Sequence, residues 1–404
     1  MHSRYGKLGG SVPVKMSGQG GDKHNISEYT AVHFSVFTPA IPKTEPRRSP
    51  DRTMSRPIPS DCRCVWLLLC ALGICLSMGR AALAQTIETV GERAQGMGGA
   101  FVAVADDNSG TWWNPAALAT GPFVDVGVGW SSLQFRRDGD PRGRLRATGV
   151  SLVTPPLGLS YYRFSITDIQ PIGPTATPPG GRQDERVGVV RSLSLHDVGV
   201  TLLKTVVPGV HVGTTLKFLR GRVEHTSSDL LLTPEALLDL GDDASGGRAQ
   251  GQFDADIGLL AVAGPFRVGG VVRNVRAAEF ADAASETGDG IKLPRQARVG
   301  VAFDAAQRRT AGASWVVSAD LDVVRYATGT GDRRVMAAGA ERWLFGERIG
   351  IRGGGRFNQV GNKERSATAG VSAALRPGLL VEAHVVRGGS DDERGWGVAA
   401  RMSF

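Results

Sequence analysis

The chain has 404 residues, 41% apolar, 21% charged and 55 of them glycine, so it can build a large core and is not a low-hydrophobicity disordered polypeptide. Its net charge of +8 is uneven: residues 1–85 carry 11 Lys and Arg against 5 Asp and Glu, together with all of Cys62, Cys64, Cys70 and Cys75, while the other 319 residues carry 36 against 34 and no cysteine. A nearly neutral, cysteine-free body excludes disulfide scaffolds, thiolate metal sites, cysteine nucleophiles and a strongly basic nucleic-acid surface, so no nucleic-acid partner is expected.

The first feature in chain order is the apolar run Val65–Ser77, 13 residues long, preceded by Arg56 and Arg63 and followed by Ala82-Leu83-Ala84. A charged start, a short apolar middle and a small-x-small end are the parts of a secretory signal peptide. A membrane anchor is the competing reading, but Cys64–Met78 gives only 15 residues, short of the roughly 17 that span hydrocarbon. The large residues Leu69 and Ile74 before Cys70 and Cys75 speak against a lipoprotein. Met54 would start such a signal correctly. Residues 54–85 are therefore read as signal peptide and residues 1–53 as a disordered leader or an over-extended start.

Residues 86–120 follow, with the stretch GERAQGMGGAFVAVADDNSGTWWNPAALA from Gly91 to Ala119. It is small-residue-rich, with Trp112 and Trp113 as its bulk. Asn114 followed by Pro115 predicts a helix N-cap and first helical residue. Gly96, Gly98 and Gly99 permit close backbone contact or positive φ. The segment lacks the Gly-Lys-Ser/Thr ending of a phosphate loop. Asp106-Asp107-Asn108 has the composition of a cation chelator, although a turn is the commoner use of such residues.

Beyond residue 120 the pattern is period two, the β signal. Trp396, Val398, Ala400, Met402 and Phe404 alternate with Gly397, Ala399, Arg401 and Ser403; Phe253, Ala255, Ile257, Leu259 and Ala261 oppose Asp254, Asp256 and Gly258. Fourteen strands are predicted, at about 123–135, 144–154, 158–166, 190–205, 209–221, 252–263, 265–275, 294–304, 312–325, 333–344, 347–357, 365–375, 379–387 and 395–404. Most are of membrane-crossing length, about 9–11 residues or slightly more, whereas soluble strands average about 5–6. The second, third, fourth and tenth alternate poorly, and Glu341 interrupts an otherwise apolar face. Short turns alternate with longer loops at Thr167–Val189, Arg222–Gly251 and Arg276–Leu293, with both termini on the short-turn side. An apolar face, a polar face and this alternation of connections predict an all-β transmembrane antiparallel barrel over residues 121–404, facing outer-membrane lipid. Outward aromatics then border the membrane: Phe253, Phe357 and Trp396 at the loop side, Phe266, Phe303 and Phe404 at the other. Fourteen strands enclose more than side chains easily fill, so something must plug the lumen or it conducts.

The GxRAxGMGGAFVAVADDxSxxxWNPAxLA pattern resembles the N-terminal motif of the FadL-like and PorV-like outer-membrane barrels of Gram-negative bacteria, a superfamily that includes TraF-like proteins. The motif covers some 29 residues; the rest is similar as architecture, a fourteen-stranded barrel ending in an aromatic. The resemblance implies that residues 86–120 fold into the lumen as a hatch, with Gly96, Met97, Gly98, Gly99, Phe101, Trp112, Trp113, Asn114 and Pro115 as gating residues. Ala117 departs from the pattern, standing where glycine is common. FadL-like members pass hydrophobic compounds; PorV-like members escort cargo in protein secretion. The implied partners are a hydrophobic ligand or a secretion-system protein, and barrel-assembly machinery reached through Phe404.

Thr233 and Pro234 predict the start of a short helix in the third external loop. Its leucines, Leu230, Leu231, Leu232, Leu237, Leu238 and Leu240, either dock hydrophobic substrate or cap the barrel mouth. Asp254, Asp256, Arg298, Asp320, Asp322, Arg352, Arg356, Glu382, His384 and Arg401 form a polar lumen wall, either a selectivity array or, since the signs balance, mutual neutralisation around a plug. His211 and His384 face inward, with hydrogen bonding rather than metal binding as their expected role. The histidines of the mature chain, His196, His211, His225 and His384, sit in no nucleophile motif, so neither an enzyme nor a cofactor is expected.

Overall fold

Hydrocarbon offers no hydrogen bonds, so β structure crossing it must leave no open edge, and the strands meet that demand. The computed structural model describes residues 87–404 apart from 138–139, 172–187, 229–231, 244–245, 282–289, 306–313, 329–330 and 390–392. The leader and signal-peptide readings lie outside the described residues.

Fourteen strands form one closed barrel: β1 (Asp125–Arg137), β2 (Asp140–Thr154), β3 (Leu157–Pro171), β4 (Gly188–Val207), β5 (Val210–Ser228), β6 (Gln250–Ala263), β7 (Phe266–Arg273), β8 (Gln296–Asp304), β9 (Ser314–Asp322), β10 (Val335–Leu344), β11 (Ile349–Asn358), β12 (Arg365–Arg376), β13 (Leu379–Gly388) and β14 (Glu393–Ser403). Each pairs antiparallel with its chain neighbours, and β1 closes on β14 with Asp125 opposite Ser403. Phe404 completes the seam, its amide donating to the Val124 carbonyl at 2.9 Å. The strands match the sequence expectation, except that β2 and β3 run to 15 residues each and β4 and β5 to 20 and 19, so that this side of the barrel extends further toward the long loops.

The outer face is an apolar belt. Phe253, Phe266, Trp396 and Phe404 are among its exposed residues, and at the short-turn border Phe303 lies 5.2 Å from both Phe266 and Trp315 between ring centroids. No helix among the described residues is long and apolar enough to cross a membrane, so any crossing falls to the strands.

The weak alternation of β2, β3 and β4 has a physical cause. Leu145, Phe164, Leu193 and Leu195 point inward and are buried, while Val150, Leu159, Val198 and Val200 point outward and are exposed. Both faces are apolar because the inward one packs on residues 87–120. Those residues lie inside the barrel: from Glu92 to Leu118 only Asp106 and Asn108 are less than fully buried. They form two short helices, α1 (Glu92–Gly96) and α2 (Gly110–Trp113), and a 3₁₀ turn at Ala117–Thr120. The helix predicted at Asn114-Pro115 is thus a single tight turn. Asn114 Oδ1 still accepts from the Ala116 amide at 3.1 Å, but four residues suffice to reach the wall.

Candidate functional site

The lumen segment meets the wall backbone to backbone. Gly98 has φ +72°, and a Cβ there would lie 2.6 Å from the Gly355 nitrogen on β11; a Cβ on Gly354 would overlap the Met97 carbonyl. The Gly96–Ala100 turn and the glycines of β11 are therefore mutually required. Asn114, fully buried, does the same work with hydrogen bonds: Nδ2 donates to the Val102 carbonyl at 2.8 Å and to the Leu259 carbonyl on β6 at 3.1 Å. The Phe101 and Val102 amides donate to Asp320 Oδ2 on β9 at 2.8 and 2.9 Å.

The two halves of the lumen differ in chemistry. On the β2–β5 side Trp112 sits 5.5 Å from Tyr162 and 5.3 Å from Phe164. Leu193, Leu195, Leu219 and Ile87 join this cluster, as do Phe280, Ile291 and Leu293 from the loop between β7 and β8. Phe280 and Ile291 belong to a small hairpin, Glu279–Phe280 against Ile291–Lys292. Phe280 is wholly buried against Gly221 of β5. Trp113 turns the other way, its Nε1 donating to the Val90 carbonyl at 2.8 Å and its ring edge-on to Phe101. Arg273 lies over both tryptophan rings at about 5.5 Å.

The β7–β14 side is ionic. Arg93 on α1 donates from Nε to Glu341 at 2.9 Å and from Nη1 to Asp106 at 2.5 Å. Asp106 also accepts from Arg267 at 3.1 Å. Glu88 pairs with Arg298 at 2.5 Å, and Arg298 with Asp322 at 2.7 Å. Arg356 pairs with Glu393 and reaches Gln95 Oε1 at 3.2 Å; Arg401 links Asp125 at 3.3 Å to Glu382 at 3.2 Å. Burial, with the nearby Glu382 carboxylate, pushes Glu92 in the lumen segment up to about 8. In the same segment Glu88 is held down at about 2 because Arg298, Arg333 and Arg356 outweigh the raising effect of burial.

All ten residues of the expected polar wall, Asp254, Asp256, Arg298, Asp320, Asp322, Arg352, Arg356, Glu382, His384 and Arg401, are buried inside the barrel. Most of their charges meet a charge or amide of the lumen segment or of a neighbouring strand. Glu341 is no anomaly, because its strand face points inward and Arg93 reaches it. The partners Arg93, Glu88, Glu393 and Arg267 are not marked by the alternation of the sequence. A lone charge at inward phase on a small-residue strand is the signal that would have found Glu341. Asp107 accepts from the Ser109 amide at 3.0 Å, so the Asp106-Asp107-Asn108 stretch is an ion-paired turn. His211 lies at the short-turn rim with Nδ1 2.9 Å from Thr205 Oγ1. No cluster of His, Cys, Asp or Glu among the described residues is arranged to hold a metal ion.

The third loop corrects one expectation. Thr233 does cap α3 (Pro234–Asp242), accepting from the Ala236 amide at 3.3 Å. The helix does not cover the mouth; it lies against the outside of β2–β4, where outward Arg144 pairs with Asp239 at 2.6 Å and Asp242 at 2.9 Å. Thr167 Oγ1 adds a bond to Asp242 at 2.8 Å. The Arg144 hydrogen bond holds Asp239 below the usual carboxylate range. Leu238 is buried against the wall, Leu237 is half-buried, and Leu232 and Leu240 are exposed. Leu230 and Leu231 lie outside the described residues.

Residues 185–322 match the family model described as "F plasmid transfer operon, TraF, protein". No curated protein matches the chain by sequence. Among solved structures, the chain is similar to the CymD monoaromatic hydrocarbon channel, with 17% identity and TM-score 0.54 over 78% of this chain and 97% of that one. It is similar to the Ralstonia pickettii toluene transporter TbuX, at 14% and 0.51 over 79% and 99%. A Pseudomonas aeruginosa FadL homologue aligns at 10% and 0.51 over 80% and 100%. The chain therefore has the FadL-like barrel fold, fourteen strands closed around its own N-terminal segment.

Proposed function

We propose that the barrel spans the outer membrane and passes hydrophobic small molecules. The observation that carries this reading is the apolar half of the lumen, where Phe164, Leu193, Leu195 and Leu219 face Trp112 near the long-loop end. A water-filled pore has a polar interior, whereas this stretch of wall suits a ligand without hydrogen-bonding groups, with the buried Asp197 and Lys217 lying beyond it toward the short turns. The similar structures named as a monoaromatic hydrocarbon channel and a toluene transporter support it. In this reading the Phe280 hairpin moves off Gly221 to admit a ligand, which reaches Trp112 and leaves laterally or to the periplasm when residues 87–120 shift as a hatch. The test is uptake of labelled toluene by cells carrying the full chain. Leu195→Asp places a carboxylate on the path and is expected to slow uptake about tenfold, with folding checked by heat-modifiable gel mobility. Unchanged uptake in that folded variant sinks the proposal.

A second reading, an accessory barrel of secretion or conjugation, is favoured by the match to the TraF model. A stoichiometric complex with a periplasmic or secreted protein, and no uptake defect on deletion, would establish it instead.

A further inference from the structure

On the outer face of β2–β5 the side chains form lateral rungs. Val150, Tyr161, Val198, Phe218 and Phe253 make one apolar rung. One rung further toward the long loops, Arg163 stands opposite His196 and His196 opposite Arg220. The next runs Arg146, Ser165, Ser194, Arg222. Strands lie about 4.8 Å apart and same-face residues about 7 Å apart along a strand, so these arginines share one small patch.

The patch is concave. α3 stands beside it, with Arg146 bound to Asp242 at 3.0 Å. The chain returning from α3 crosses its upper edge, where the Gly246 amide donates to Glu224 Oε2 at 2.5 Å. The resulting groove has a volume of about 510 Å³ and is lined by Arg163, Arg220, Arg222, His196, Ser192 and Ser194, with Val198 and Phe218 toward the apolar belt. Among the described residues, Arg163, Arg220 and Arg222 make no ion pair or hydrogen bond. Glu224 is the one carboxylate lining the groove, and the Gly246 amide already engages it.

Three guanidiniums gathered around a single carboxylate, Glu224, leave the groove with an excess of positive charge. Their planar forks match phosphate oxygens, and the serine hydroxyls can donate beside them. The site opens directly above Val198, Leu216 and Phe218, all exposed to the lipid side. We propose that this groove binds the phosphate group of an outer-leaflet lipid, with the acyl chains lying on Val198, Leu216 and Phe218. The assignment rests on the membrane-spanning reading of the barrel but is independent of what passes through its lumen.

The test is native mass spectrometry of the mature chain in detergent, titrated with diphosphorylated lipid A, with enzymatically dephosphorylated lipid A, or with inorganic phosphate. Wild type is expected to hold the phosphorylated lipid at least tenfold more tightly than the dephosphorylated form, with binding weakened by salt. The triple variant Arg163→Gln, Arg220→Gln, Arg222→Gln is expected to lose that preference while keeping its β-sheet circular dichroism. Arg342→Gln, an outward arginine near the short-turn border, is expected to leave it intact. Equal binding of the two lipids by wild type overturns the proposal whatever the variants do. So does a folded triple variant that binds normally, or an equal loss in Arg342→Gln. Inorganic phosphate bound as tightly as the lipid, with the same loss in the triple variant, would make the groove a free-anion site and overturn the lipid assignment.

Discussion

Arg93 is the residue on which the lumen segment's attachment turns. Its guanidinium bonds buried Glu341 on β10 and half-buried Asp106 thirteen residues along the same segment. Deleting Arg93 takes from buried Glu341 its nearest counter-charge, with Arg352 at 3.6 Å as the remaining cation, while Asp106 keeps Arg267 at 3.1 Å. Arg93→Ala is therefore expected to cost about 3–5 kcal/mol, read as a lowered heat-modification temperature. The double variant Arg93→Ala, Glu341→Ala should recover part of the loss, since the stranded carboxylate is gone. Glu92 gives the pH dependence. With its pKa raised from 4.5 to about 8, the folded state binds the proton more tightly than the unfolded one. Its contribution is complete below about pH 4.5 and is lost as pH rises through 8. The protection of α1 against hydrogen exchange, taken relative to the intrinsic base-catalysed rate, should fall between pH 6 and pH 9, and Glu92→Gln should abolish that fall. An equal loss of protection in the variant would remove Glu92 as its source.

At the scale of elements, contact between the lumen segment and the wall depends on missing side chains. Gly354→Val suits a β-strand, yet its Cβ would overlap the Met97 carbonyl. The barrel is expected to fold while the Gly96–Ala100 turn is pushed from β11, read as ion conductance in planar bilayers above that of wild type. α3 depends instead on charge. Asp242→Ala removes its bonds to Arg144, Arg146 and Thr167. Amide exchange in Pro234–Asp242 should then rise severalfold, with the strands unaffected. Thr233-Pro234 announces this helix in sequence, because capping is local. Its seat on the outer wall is not legible there, because Arg144 and Asp242 are 98 residues apart and meet only once β2 is paired.

For the whole molecule, closure and filling are separate matters. The barrel closes through strand pairing alone, with β1 on β14. The interior is filled by residues 87–120, so removing them is expected to leave a folded barrel with stable conductance. If the truncated chain stayed silent in bilayers, the loops and wall would suffice to block the lumen.

Alternation, strand length and the rhythm of short and long connections determined the fourteen strands, their inward and outward faces and the aromatic borders. Each is a local or period-two property that survives without knowing any partner. Tertiary structure alone decided that Glu341 faces Arg93, that the inward leucines of β2–β5 meet Trp112, and that α3 lies outside the wall beside a groove of unpaired arginines. Those outcomes depend on which distant segments share a height around the cylinder. Pairing register and the placement of residues 87–120 set that height, and no window of neighbouring residues contains it.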